Sequence, residues 1–61
     1  MKIKQKLIVT TNEYLLEIDS EKVIEELGYT ACIVLETLKN IFVVDNKNVY
    51  TVTIWYLEYD N

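Results

Sequence analysis

The chain contains no histidine, no arginine and no proline, and it has one glycine and one cysteine among its 61 residues. Each absence closes off a class of chemistry. Without histidine, the ordinary side chain for proton transfer at neutral pH and the commonest metal ligand are both missing. One glycine, Gly28, is too few for a glycine-rich phosphate loop. One cysteine, Cys32, excludes an internal disulfide, so a reducing compartment is expected, with the cytoplasm as the default. The apolar run near the start, Leu7-Ile8-Val9, is far shorter than a secretory core or the roughly 20 residues that span a bilayer. No targeting or membrane segment is expected. Catalytic residues, a metal site and a cofactor are likewise not expected. Cys32, with no histidine to activate it, reads as a small packing residue.

The residues that are present describe a small folded domain. Apolar residues make up 51% of the chain, too many for a disordered segment. A chain of this length, read as one domain over residues 1–61, buries only about 60% of its unfolded surface, so marginal stability is expected. Ten acidic residues face six lysines, for a net charge of −4. Three of those lysines are Lys2, Lys4 and Lys6, so the chain from residue 7 onward carries three lysines against ten acids, a net −7. Such a balance disfavours attraction to nucleic acid and suits either a partner with a basic surface or solubility alone.

Periodicity supplies the expected elements. Lys2 to Thr10 alternates, with Ile3, Leu7 and Val9 on one side and the lysines on a solvated side, as on a protected edge strand. Thr11-Asn12 reads as a turn, and Glu13 to Asp19 as a second strand with Tyr14, Leu16 and Ile18 inward. At Asp19-Ser20 the period changes. From Ser20 to Asn40, Val23, Ile24, Leu27, Ala31, Val34, Leu35 and Leu38 share an arc of roughly 120° on a helical wheel, which predicts one long helix capped by Asp19 or Ser20. Ile41 to Asp45 reads as a third strand, Asp45 to Asn48 as a polar turn, and Val49 to Tyr59 as a long final strand. That last strand sets Tyr50, Val52, Ile54 and Tyr56 on one face and Thr51, Thr53, Trp55, Leu57 and Tyr59 on the other. A strand apolar on both faces requires cover on both, and one helix covers one. The uncovered face should meet a second copy or another protein.

The expected fold is therefore α+β, in the order ββαββ, an antiparallel sheet with one long helix packed on one face. Gly28 opens an alternative. The segment Val23-Ile24-Glu25-Glu26-Leu27-Gly28-Tyr29-Thr30, followed by Val34 and Leu38, resembles a winged helix-turn-helix: a helix, a glycine turn, a recognition helix, then a hairpin as the wing. That resemblance implies a DNA-binding regulator, with the N-terminal lysines and Lys47 on phosphate. The outward positions of its recognition helix, Tyr29, Thr30, Ala31, Cys32, Ile33 and Glu36, hold no arginine, glutamine or asparagine to read a base, and within that helix no lysine precedes Lys39 to hold a phosphate. The unbroken phase of the apolar arc through Gly28 favours a single helix.

The functional expectation is recognition of a protein. On the helix side away from the core, Tyr29 and Ile33 stand one turn apart among Glu25, Glu26 and Glu36, an aromatic and aliphatic pair ringed by carboxylates. With Glu21 these form the expected partner-binding set, while Trp55, Leu57 and Tyr59 form the expected self-association surface of a homodimer. Glu25 and Glu26, like Glu58 and Asp60, read as solvated carboxylates, not as a metal cluster. In general character, a compact acidic chain rich in Lys, Ile, Asn and Tyr resembles the small inhibitors encoded by phages and mobile elements, including anti-CRISPR and DNA-mimic proteins. The resemblance implies occlusion of a host protein's nucleic-acid-binding or active surface, with Glu21, Glu25 and Glu36 standing in for phosphates. A structural or assembly subunit is the third expectation.

Overall fold

The computed structural model describes residues 1–30 and 32–59; Ala31 of the expected arc and Asp60 lie outside them. The chain forms strand β1 (Lys2–Thr10), helix α1 (Glu13–Tyr29), strand β2 (Cys32–Val44) and strand β3 (Lys47–Glu58). The strands make one antiparallel sheet in the order β1-β3-β2, with the helix on one face. The α+β class and the one-helix, one-face packing hold. The element order is βαββ, not ββαββ.

The difference lies in where the helix sits. Asn12, expected in a hairpin turn, is the helix N-cap: its backbone is extended and its side-chain carbonyl accepts from the Tyr14 N–H at 3.0 Å. Glu13 then occupies the first turn, where a carboxylate interacts favourably with the helix dipole. Tyr14, Leu16 and Ile18 alternate as in a strand, but Leu16, Val23 and Leu27 also share one helical face, and this second pattern prevails. Leu16 and Leu27 are buried, whereas Tyr14 is 82% exposed. Ser20, expected at the start of the helix, lies inside it and returns its hydroxyl to the Leu16 carbonyl. The helix runs through Gly28 and closes at Thr30, whose N–H and hydroxyl both bond the Leu27 carbonyl.

Beyond that point Cys32 to Asn40 is strand, not helix. Cys32, Ile33, Val34 and Thr37 favour an extended backbone, and pairing with β3 satisfies their backbone groups in long register. The second helix of a helix-turn-helix is therefore replaced by β2. One residue of β2 is extra: Val34 lies opposite Tyr56 and Glu36 opposite Trp55, with Leu35 bulged between them. The β2–β3 hairpin closes on Asp45-Asn46, both at positive φ (49° and 62°), a conformation these two residue types tolerate and hairpins favour.

β3 is the central strand, and its alternation is as expected: Val52, Ile54 and Tyr56 are buried under the helix with Leu16 and Leu27. Directly opposed residues share a face. The register thus puts Lys4, Lys6 and Ile8 of β1, with Val34, Thr37 and Lys39 of β2, on the helix side. Ile3, Leu7 and Val9 lie on the other side, uncovered, which reverses the expected orientation of β1. Among the β1 side chains Ile8 packs on the core. The lysines reach past the helix at the sheet edge, where Lys4 Nζ pairs with Glu58 Oε1 at 3.0 Å across the strands.

The helix spans only the part of the sheet that β1 spans. Past Thr10, opposite Tyr50, the β2–β3 hairpin continues alone, and Ile41, Phe42, Val43 and Val44 are all exposed. The molecule measures 46 × 18 × 13 Å, with a radius of gyration of 13.0 Å against roughly 10.5 Å for a compact chain of this length.

These assignments predict opposite results for two neighbours. Leu16→Ala should cost about 2–5 kcal/mol in urea unfolding, as a fully buried leucine does, whereas Tyr14→Ala should change stability by no more than about 0.5 kcal/mol. Equal losses at both positions would contradict the helix.

Candidate partner-binding surface

α1 carries six carboxylates and one lysine, Lys22, in 17 residues. Glu13, Glu17, Glu21 and Glu25 follow each other at intervals of four, so they form a ladder that climbs one flank of the helix and turns toward its outermost line. Rungs of this kind stand about 6 Å apart along the axis. Tyr29 continues the ladder, its hydroxyl 3.5 Å from Glu25 Oε1. Beside it runs a second stripe, Tyr14, Ile18 and Tyr29, directed away from the sheet; the two tyrosines are more than four-fifths exposed. Glu26 and Asp19 lie further round the helix.

Where the helix leaves β2, a cleft of about 350 Å³ opens. Leu16, Ile24 and Val52 line its apolar part, Ser20 and Thr37 its sides, and Glu17, Glu21 and Lys39 its polar part. It is suited to a long cationic side chain. The aliphatic stem would lie on Ile24 and Val52, and the head would meet two carboxylates, with Lys39 as the opposing charge.

Of the expected partner-binding residues, the structure brings Glu21, Glu25, Glu26 and Tyr29 onto one helix. Ile33 and Glu36 are not with them. Both belong to β2 and lie on the uncovered side of the sheet, opposite Leu57 and Trp55 respectively. The pair Tyr29–Ile33 depended on a continuous helix and separates when the chain turns into β2. Trp55 and Leu57 do share the uncovered face, half-buried by their neighbours, and Tyr59 follows the end of β3. Sequence reasoning missed Glu13, Glu17, Tyr14 and Ile18, because the segment read as a strand. The four-residue spacing of the glutamates was the available signal.

Cys32 packs against the core, its Sγ near Thr30 Oγ1 at 3.4 Å. Among the described residues no group of three Cys, Asp or Glu side chains is placed to hold a metal ion, and no described helix is long and apolar enough to cross a membrane. No protein-family model, characterised protein or solved structure shows significant similarity to the chain.

The ladder has an energetic cost, since like charges four apart on a helix destabilise it by about 0.2–0.5 kcal/mol per pair. Glu17→Lys combined with Glu25→Lys converts three repulsive pairs into attractive ones. The double variant should be more stable by about 1 kcal/mol at low salt, a gain that shrinks in about 1 M NaCl, where the Debye length is about 3 Å. A double variant less stable than the parent would show that the glutamates support the fold.

Proposed function

We propose that this chain is a non-catalytic protein-binding module of inhibitor type, which occludes a basic, nucleic-acid-binding surface of a host protein. The supporting observation is the density of charge on α1. Six carboxylates against one lysine on a helix of 17 residues make its exposed surface strongly anionic, and four of them, Glu13, Glu17, Glu21 and Glu25, follow one another about every 6 Å of axis as a row of phosphate-like charges. Glu21 and Glu25 keep the phosphate-like role in this reading, Glu13 and Glu17 extend it, and Glu36 drops out. The exposed stripe of Tyr14, Ile18 and Tyr29 supplies the apolar contact that raises affinity above a purely electrostatic encounter, with tyrosine well suited to it. A ladder of like charges that costs local stability suits a surface whose task is binding.

A competition experiment tests the reading. Protein immobilised through its hairpin turn should capture a nucleic-acid-binding protein from host extract, and duplex DNA should displace that partner. Glu17→Lys with Glu21→Lys and Glu25→Lys should abolish the capture, and its salt dependence should be steep. Capture untouched by the triple variant, or direct tight binding of the chain to duplex DNA, would overturn it.

A further inference from the structure

We infer that the uncovered face of the sheet is the seat of a second copy of this chain, stacked so that β3 lies over β3 and β1 over the partner copy's β2, with the two-fold axis running along β3. The product is a six-stranded sandwich with both helices outside. It goes beyond the reading of the helix and does not depend on it.

Three observations favour this occupant. The first is area. For a mass of 7.2 kDa a folded monomer exposes roughly 4,100 Å², whereas this chain exposes 4716 Å². The excess of roughly 600 Å², shared between this face and the lone β2–β3 hairpin, is surface that a second copy can cover, against roughly 800 Å² per partner in a standard interface. Much of the apolar part lies on this face, where Ile3, Leu7, Val9, Ile33, Leu38 and Phe42 are all between 43% and 65% exposed.

The second is the distribution of charge. The uncovered face carries one carboxylate within its paired rows, Glu36, while the six of α1 are on the opposite side of the sheet. Stacked sheets lie about 10 Å apart. The two acidic helices are then separated by both sheets, well beyond a Debye length of about 8 Å at physiological salt. Self-repulsion of a chain with net charge −4 does not oppose this arrangement.

The third is that the rows are complementary to themselves. Across the sheet the uncovered rows read Ile3–Leu57–Ile33, Gln5–Trp55–Glu36 and Leu7–Thr53–Leu38. An axis along β3 exchanges β1 with β2 and keeps each row in place. Ile3 then meets the partner copy's Ile33, Leu7 its Leu38, and Gln5 its Glu36, so the one carboxylate of these rows finds an amide donor in each half of the pair. An axis across the strands would instead lay β2 on β2 and bring the two Glu36 carboxylates toward each other. The aligned packing angle of about 30° between such sheets is accommodated near the axis.

Sedimentation velocity on the 61-residue protein, from low micromolar to near-millimolar concentration, should find twice the 7.2 kDa mass. Leu7→Glu and Leu38→Glu, both at positions already exposed in the monomer, should return it to one copy with its helical circular dichroism intact. Gln5→Glu should weaken the dimer at least tenfold by opposing Glu36, and Gln5→Lys should tighten it in a salt-dependent way. Ile18→Glu, on the outer side of the helix, should leave the mass unchanged. A monomer at near-millimolar concentration overturns the inference, and so does a dimer that survives Leu7→Glu, because pairing through the β2 edge or the helix is indifferent to β1. A dimer whose affinity ignores the charge at position 5 overturns the stacking order.

Discussion

The hydrogen-bonded pairing of β3 on both of its edges is the constraint on which the remainder of the molecule depends. A central strand in so short a chain must bring β1 and β2 to either side of itself, and both run antiparallel to it. β1 and β2 are therefore parallel to each other, and the connection between them has to travel back along the full length of β1. The helix is that connection, about 25 Å long over 17 residues, matched to the nine residues of β1. Its position on one face follows, and with it the small core of Leu16, Leu27, Val52, Ile54 and Tyr56.

The same constraint explains how much could be read in advance. β3 was legible because alternation over twelve residues is hard to reconcile with anything but a strand, and Asp45-Asn46 between two β-branched runs marks a hairpin. The ends of the helix were not legible. Asn12 serves equally as a turn residue and as a cap, and Tyr14-Leu15-Leu16-Glu17-Ile18 satisfies a period of two as well as one of 3.6. After Thr30, the angular phase of Val34, Leu35 and Leu38 continued the helical arc by coincidence. The propensity of Cys32-Ile33-Val34 pointed to a strand, and tertiary pairing with β3 decided between the two. The candidate surface inherits this division. Its part between Ser20 and Tyr29 was visible, its part between Glu13 and Ile18 was hidden behind a wrong period, and Ile33 and Glu36 belonged to a different face altogether.

The two outer faces of the molecule carry different side chains. The helix side presents carboxylates with a narrow aromatic and aliphatic stripe, and the sheet side presents aliphatic groups with almost no charge. The lysines of β1 lie on the helix side of the sheet, at its edge, where Lys4 pairs with Glu58. Such an edge resists the addition of a further strand, since charged side chains there are costly to bury. The aliphatic face is thereby separated from uncontrolled strand addition along β1. Two surfaces of different chemistry thus share one core, and substitutions on one leave the other intact because the sheet itself lies between them.

The bulge at Leu35 bears on how this chain tolerates change. Before it, the even-numbered residues of β2 share a face with the helix; after it, the odd-numbered ones do. From Glu36 to Val44 the register runs unbroken to the hairpin turn, so the surplus residue acts on the other side of the bulge: it is what returns Val34 and Cys32 to the helix face, where both pack on the core. Loss of Leu35 itself would set Val34 and Glu36 next to each other against Tyr56 and Trp55, so the strand would become regular while every other side chain kept its partner on β3 and its face. At the start of this strand the bulge, more than the order of hydrophobic residues, decides that Val34 and not Leu35 closes the core.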